Sequence, residues 1–472
     1  MSDLVDLSAV EQRRMIGTRA VSATELLDAH LDRIGQCNET VNAIVGMNAD
    51  IGRQRAAAID AAIAAGEPLG PLAGLVTAHK DLTETVDFPS TKGAAAFAGR
   101  FAQEDSLLVT RVREAGAVAI GKTNVPEFGA GSHTTNPVYG TTVNPYDINR
   151  SAGGSSGGAG VALRCGMVAI ADGSDMGGSL RNPAGWNNVV GLRPSPGVVP
   201  SIGAGNAWAT WGTEGPMART VDDLYLLFKV IAQADIRDPS NHSLALPAEL
   251  PRLDRPLRVA YSKTVGGLPV EADVASVVAT AVAKLADLGW NVEEVEPNFS
   301  GSDECFDTIR SWLFASHPDV TTADKIAAVK ATVQDEVRRG NALSAMDVAA
   351  AIGMQKKLWD RAVSFFGTYD LLVAPVSQLS PFDAAIEYPV EVAGQPMERY
   401  IDWMRSVCRI TTIGMPALSV PAGFTDAGLP VGLQLVGQPW GDVGLMAAAR
   451  AVEEHMPWYL TGPSIAALRS AD

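Results

Sequence analysis

Three places in this chain gather residue types that could attack a carbonyl carbon. Lys80 closes the apolar run 74–79. A lysine held dry at the mouth of a strand has a lowered pKa, because desolvation disfavours the ammonium, and a neutral amine is a usable general base. Taken alone, Lys80 is also read as a surface lysine following a strand. His79 projects to the opposite side of an extended chain and is read as structural. The second place is Gly153-Gly-Ser155-Ser156-Gly-Gly158, which leads into a predicted helix over 159–165. Its four glycines permit unusual torsions, and its position between apolar elements argues against a flexible linker. The third is Asp172-Gly-Ser-Asp175-Met176-Gly177-Gly178-Ser179-Leu-Arg181, after the apolar run 167–171. Paired glycines ahead of a serine can turn successive backbone N–H groups inward, and such a nest receives a developing oxyanion. The alternative is a tight turn with a solvated serine.

Two other matches are set aside on context. Gly116-Ala-Val-Ala-Ile-Gly121-Lys122-Thr123 fits a phosphate-binding loop pattern, but the residues between its glycines are apolar and read as the strand itself. Gly153-Gly-Ser-Ser-Gly157 fits the nucleophile elbow, which needs a buried strand before it; here 144–150 is polar.

The elements that must position these groups alternate. Residues 1–66 read as helices, with Ser8/Glu11 and Ser22/Glu25 as capping boxes and an Ala-rich helix over 54–65 stopped by Gly66. Strands are predicted at 74–79 and 117–120, with a helix between them over 105–114 capped by Asp105. The loop-rich stretch 136–216 is expected to be functional. Residues 234–369 read as a helical insertion or cap, with a helix over 271–288 and a strand over 291–295. Strands at 371–374, 417–420 and 431–436 and a helix over 442–455 then return to the core. The expectation is an α/β layered core in one domain over 1–472, divided into a helical segment (1–66), a core (67–233), the insertion (234–369) and the C-terminal return (370–472).

Composition bounds the partners. The 472 residues carry 37 Lys and Arg against 53 Asp and Glu, a net charge of −16. Nucleic-acid surfaces need clustered cations, so neither nucleic acid nor an anionic membrane is an expected partner. No apolar run has the length of a membrane helix, and the N-terminus lacks the apolar stretch of a secretory signal. Cys37, Cys165, Cys305 and Cys408 have no metal-ligand spacing, and reduced thiols in a cytoplasmic protein are expected.

Together the motifs resemble the amidase signature family of serine hydrolases. Gly121-Lys-Thr-Asn, Asn144-Pro, Gly153-Gly-Ser-Ser-Gly-Gly158, Gly177-Gly-Ser179, Gly191-Leu-Arg-Pro194, Gly215-Pro-Met-Ala-Arg219, Pro416-Ala-Leu-Ser-Val-Pro421 and Gly428-Leu-Pro-Val-Gly-Leu-Gln434 fall in family order. The resemblance implies a large mixed β-sheet core surrounded by helices. It also implies a Ser–Ser–Lys triad: Ser179 as nucleophile, Ser155 as bridging serine after a cis peptide bond, Lys80 as base. It implies an oxyanion hole from the backbone N–H groups of Met176, Gly177, Gly178 and Ser179, with Ser156, Asp175 and Arg181 in support. No metal or organic cofactor is called for.

Small residues in Phe128-Gly129-Ala130-Gly131-Ser132, where family members often carry Met, suggest room beside the nucleophile. Trp208 and Trp211 are pocket candidates, as are Trp186 and Trp403; aromatic side chains line apolar pockets, and core packing is the other reading. The expected substrate is a small aryl or bulky acyl amide, anilide or hydrazide, with esters and carbamates as further options, and the expected assembly is a homodimer. The rival within the family is the glutaminase subunit of a tRNA-dependent amidotransferase. Its Tyr-rich and Arg-Tyr-Asp-Gly-like segments are not found here, which favours a free-standing enzyme.

Overall fold

The computed structural model describes residues 4–202 and 208–469. Among these, one sheet carries eleven strands, in the order Ile44–Val45, Val118–Thr123, Val76–Lys80, Ile170–Asp175, Thr213–Ala218, Val190–Arg193, Ala417–Phe424, Pro430–Val436, Leu371–Pro375, Arg258–Tyr261 and Asn291–Glu294. Val76–Lys80 runs parallel to both of its neighbours, Val118–Thr123 and Ile170–Asp175, and the far end is parallel again around Arg258–Tyr261. Antiparallel pairs join the two parallel groups. This is a mixed α/β sheet of the expected class.

Helices cover both faces. Val221–Ile231, Ala272–Lys284 and Asp442–His455 share one apolar cluster with Leu192, Leu418 and Leu433. Gly157–Arg164 and Ala23–Val41 share another with Val76, Ala78, Val118 and Ile120. Period-2 alternation along Val76–Lys80 explains the division. Val76 and Ala78 share a cluster with helix Gly157–Arg164, while Leu75, the residue before Val76, belongs to the other.

Some predicted boundaries shift for local reasons. The Ser22/Glu25 capping box forms, but Ser8 makes only half of one: Ser8 caps Glu11 N–H while the Glu11 carboxylate turns to Arg14 at 2.7 and 2.6 Å. The helix expected after Asp105 is capped by Ser106 instead. Asp105 accepts from Thr85 Oγ and Val86 N–H, both at 3.0 Å, and so is spent on a neighbouring loop. The helix expected over 271–288 tightens into a 3₁₀ turn from Leu285 to Leu288 before Gly289 ends it. All four cysteines are free and buried. Among the described residues, no helix is long and apolar enough to cross a membrane.

Candidate active site

Parallel pairing of Val76–Lys80 with Ile170–Asp175 brings Lys80 and Ser174 to the same edge of the sheet, at the carboxyl ends of their strands. That edge is where open α/β sheets bind ligands. Lys80 Nζ lies 2.8 Å from Ser155 Oγ, 3.0 Å from Ser174 Oγ and 3.1 Å from the Ser174 carbonyl oxygen. Lys80 is fully buried. Burial lowers its pKa to about 7, against the opposing pull of Asp175, Asp172 and Glu214. The three contacts satisfy the three N–H groups of an ammonium; on deprotonation, two N–H groups keep the Ser174 carbonyl and hydroxyl and the lone pair is free to accept from Ser155.

His79, on the other face, meets Asp172 at 2.7 Å. Asp172 also accepts from Lys80 N–H at 3.2 Å and Thr83 Oγ at 3.1 Å. These bonds fix the end of the lysine strand. Lys122, from the discarded phosphate-loop match, lies within strand Val118–Thr123, is fully buried, and donates to the Thr83 carbonyl.

Ser155 follows a cis peptide bond, Gly154–Ser155. Its loop is pinned by Ser132, whose Oγ donates to the Gly154 carbonyl at 2.5 Å and accepts from Gly154 N–H at 3.1 Å and Asn182 Nδ2 at 2.6 Å. Thr134 Oγ donates to the Gly153 carbonyl at 2.8 Å. The glycines that follow serve close approach: a Cβ on Gly158 would sit 2.7 Å from the Ala43 carbonyl oxygen.

The Ser179 loop is organised by Asp175. Its carboxylate accepts from Gly178 N–H at 2.8 Å, Leu180 N–H at 3.1 Å, and Arg181 Nε and NH2 at 3.0 and 2.9 Å. Burial opposes ionisation of Asp175, but Arg181, Arg193 and the Gly178 N–H outweigh it and hold the carboxyl below its ordinary range. Arg181 also donates to Gln434 at 2.7 Å and to the Val407 carbonyl at 3.1 Å, tying the loop to helix Arg405–Thr412 and strand Pro430–Val436. Ser156 N–H donates to the Ser179 carbonyl at 3.2 Å. The structure thus alters one expectation for the anion pocket: Gly178 N–H is already committed to Asp175. Among the described residues, the N–H groups of Met176, Gly177 and Ser179 have no protein acceptor.

Ser155 and Ser179 line one cavity of about 220 Å³. Its walls include Leu82, Phe128, Gly129, Gly131, Met176, Gly177, Arg310, Leu313, Phe314, His317, Val320 and Met404. Among the described residues, no hydrogen bond joins the two serine hydroxyls directly. Phe128, Gly129 and Gly131 stand where a pocket was expected, but Ala130 is buried behind it, its carbonyl accepting from Lys330 Nζ at 2.7 Å. Neither Trp208 nor Trp211 lines the cavity. Trp208 is largely exposed, and Trp211 packs against Phe306 with ring centroids 6.2 Å apart. Trp186 and Trp403 stack on each other in the core at 5.5 Å.

Sequence reasoning missed Ser174, Ser132 and Asn182, and also the cavity wall from helix Ser302–Ala315. A serine two residues beyond Asp172 was in view, but nothing local marks it as a lysine partner. Among the described residues, no cluster of three or more His, Cys, Asp or Glu side chains is arranged to hold a metal ion.

Similarity to known proteins identifies the family. Residues 25–446 match the family model described as Amidase. An acylamidase from Rhodococcus erythropolis is 33% identical over 459 residues, covering 96% of each chain. A glutamyl-tRNA(Gln) amidotransferase component from Acidothermus cellulolyticus is 34% identical, covering 96% of this chain and 95% of the relative. The crystal structure of a bacterial aryl acylamidase of the amidase signature family superposes with a TM-score of 0.89 at 28% identity, over 98% of this chain and 99% of the other. With the family model spanning nearly the whole sequence and the eleven-stranded sheet matching in shape, this chain belongs to the amidase signature family.

Proposed function

We propose that this chain is a free-standing hydrolase of the C–N bond in small aryl or bulky acyl amides, anilides or hydrazides, working through an acyl-enzyme on Ser179. The observation that carries the reading is the buried Lys80 amine, 2.8 Å from Ser155 Oγ and without a carboxylate partner among the described residues. Burial favours its neutral form near pH 7. Ser155 gives its proton to Lys80 and takes that of Ser179, once substrate in the shared cavity draws the two hydroxyls together. Ser179 Oγ bonds to the carbonyl carbon, and the N–H groups of Met176, Gly177 and Ser179 receive the oxyanion. As the C–N bond breaks, the relay returns the proton to the leaving amine, and water then hydrolyses the acyl-enzyme. Ser156, Asp175 and Arg181 hold the nucleophile loop in place.

A cavity of about 220 Å³ with leucine, phenylalanine and methionine walls suits one aromatic ring, since an apolar cavity of ~150 Å³ admits benzene. Four free, buried thiols suit a reducing cytoplasm. The amidotransferase relatives support a second reading, a glutaminase that needs partners, and ester or carbamate cleavage would use the same groups.

The test is turnover by the purified chain alone. Hydrolysis of an acetanilide or benzamide, no hydrolysis of glutamine, and a fluorophosphonate label on Ser179 are expected. Ser179→Ala should abolish turnover with the fold intact; robust hydrolysis by that variant, or activity on glutamine alone, refutes the reading. A clear preference for acetamide over an aryl amide would remove the aryl assignment.

A further inference from the structure

The apolar wall of the cavity contains one cation whose hydrogen bonding is incomplete. Arg310, on helix Ser302–Ala315, is 5% exposed and lines the cavity. Its Nε and NH2 donate to Tyr400 OH at 3.0 and 2.6 Å, and its Cζ lies 4.7 Å from the Phe314 ring centroid. Among the described residues, the NH1 nitrogen finds only the Met176 thioether sulfur, at 3.6 Å. Sulfur of this kind is a weak acceptor, and buried N–H groups short of a partner are costly.

The charge of Arg310 is met by a shared carboxylate, and Arg399, which shares it, also pairs with Asp307 at 2.6 Å. Glu336 Oε1 is 3.5 Å from Arg310 Nε, but the same carboxylate serves Arg399 at 3.0 Å and the Ser311 hydroxyl at 2.7 Å. Apart from Arg310, the charged side chain lining the cavity is Asp175, whose carboxylate is consumed by Arg181 and by loop N–H groups. Among the described residues, a ligand entering here meets mostly apolar walls, the serine hydroxyls and His317, one guanidinium edge and no unpaired carboxylate.

We propose that Arg310 selects amides bearing a carboxylate remote from the scissile bond, its NH1 edge exchanging the Met176 sulfur for carboxylate oxygens. The assignment rests on the amidase reading of the same cavity. Charge-assisted bonds from a guanidinium to a carboxylate are about twice as strong as neutral ones, and the surrounding apolar side chains lower the local dielectric and reduce screening. The displaced Met176 belongs to the nucleophile loop, three residues before Ser179, so the contact also reports to the anion pocket.

Calorimetric binding to the Ser179→Ala protein tests this without turnover. Two matched pairs place the charge on either side of the amide: succinanilate against butyranilide, and 4-acetamidobenzoate against acetanilide. One carboxylate is expected to bind about tenfold or more tighter than its neutral partner. Adding Arg310→Gln should bring that ratio near one, with Glu336 still paired to Arg399. Arg310→Lys, which keeps a point charge but not the fork, should retain part of the preference and stands in if the glutamine variant misfolds. A ratio near one in the Ser179→Ala protein, a preference that survives Arg310→Gln, or an equal loss for both members of each pair overturns the assignment. The last outcome is the one a mere brace for Met176 would give. Turnover of the same four anilides by the Ser179-bearing chain is scored separately: Arg310-dependent carboxylate binding without hydrolysis would refute the amidase reading and leave this one standing.

Discussion

Lys80 Nζ and Ser155 Oγ are 2.8 Å apart, with the remaining donors of the amine taken up by one residue, Ser174. In the relay proposed above, this geometry makes the protonation state of Lys80 the switch. Burial lowers its pKa to about 7, so kcat/KM should rise with pH along an acid limb centred near 7, as the amine loses its proton. Lys80→Met should cost about 10²–10⁴ in kcat, the range for loss of a general base. Glu214 faces Ser174 across the sheet, and burial pushes its own pKa up to about 7. A carboxylate there favours the ammonium, so Glu214→Gln should move the acid limb to lower pH. A pH–rate profile of each variant checks both signs; a limb that moves to higher pH on removal of Glu214 contradicts the coupling.

The parts of the site carried by local chemistry were legible in the sequence: a lysine after an apolar run and two serines among glycines, with Asp175 and Arg181 expected from the family resemblance alone. The strands at 74–79, 117–120, 371–374, 417–420 and 431–436 were legible from their apolar runs, whereas Ile170–Asp175, Val190–Arg193 and Thr213–Ala218 begin in the stretch read as loop-rich and Arg258–Tyr261 lies in the one read as helical. Asp105, expected as a helix cap, was drawn toward Thr85 and Val86. What was not legible depends on pairing across the chain. Ser174 matters because parallel register sets it beside Lys80. Arg310 and Phe314 reach the cavity from a helix far along the chain. Trp208 and Trp211 show the converse: closeness to a motif in sequence did not bring either side chain to the cavity wall, and Trp211 went to the core with Phe306. Gly178 N–H could be assigned to the anion pocket from sequence alone, because only the folded loop reveals its bond to Asp175.

Asp175 holds the loop through charge as well as geometry. Asp175→Asn keeps the shape but leaves Arg181 and Arg193 buried without their counter-ion, and breaking such a pair costs about 3–5 kcal/mol. The carboxyl is held below its ordinary range in the fold, so its contribution is fully present above the unfolded-state pKa of about 3.9 and is lost as pH falls toward the folded value. Urea unfolding should therefore show the largest wild-type advantage at neutral pH and a shrinking one below about pH 4. An advantage independent of pH would mean that the charge plays no part.

Gly178 has φ +95°, and a Cβ placed there would run into Val407. Gly178→Ala combines backbone strain with overpacking, at about 1–3 kcal/mol for each, and displaces the residue before Ser179. Turnover should fall more steeply than stability, since the loop can swing away from helix Arg405–Thr412 at the expense of the anion pocket. Val407→Ala in the same chain should restore only part of the loss, because Val407 Cβ itself lies 2.7 Å from the new methyl and the φ strain remains. Full restoration of kcat by the double variant would show that packing alone, rather than backbone conformation, requires glycine.

Ser132 is the hub through which the Ser155 loop is held: one hydroxyl serves Gly154 N–H, the Gly154 carbonyl and Asn182 Nδ2. It is buried, so Ser132→Ala leaves three polar groups without that partner. Unsatisfied buried groups cost about 1–3 kcal/mol, and a loss of that size in chemical unfolding is expected. Because the peptide so anchored leads directly into Ser155, kcat should drop while KM for a small anilide stays nearly constant, as Ser132 does not line the cavity. Ser132→Thr keeps the hydroxyl and should recover most of the rate if the added methyl is accommodated. A variant that loses stability but keeps wild-type kcat would separate the hub from the relay and show that Ser155 is positioned by its own contact with Lys80.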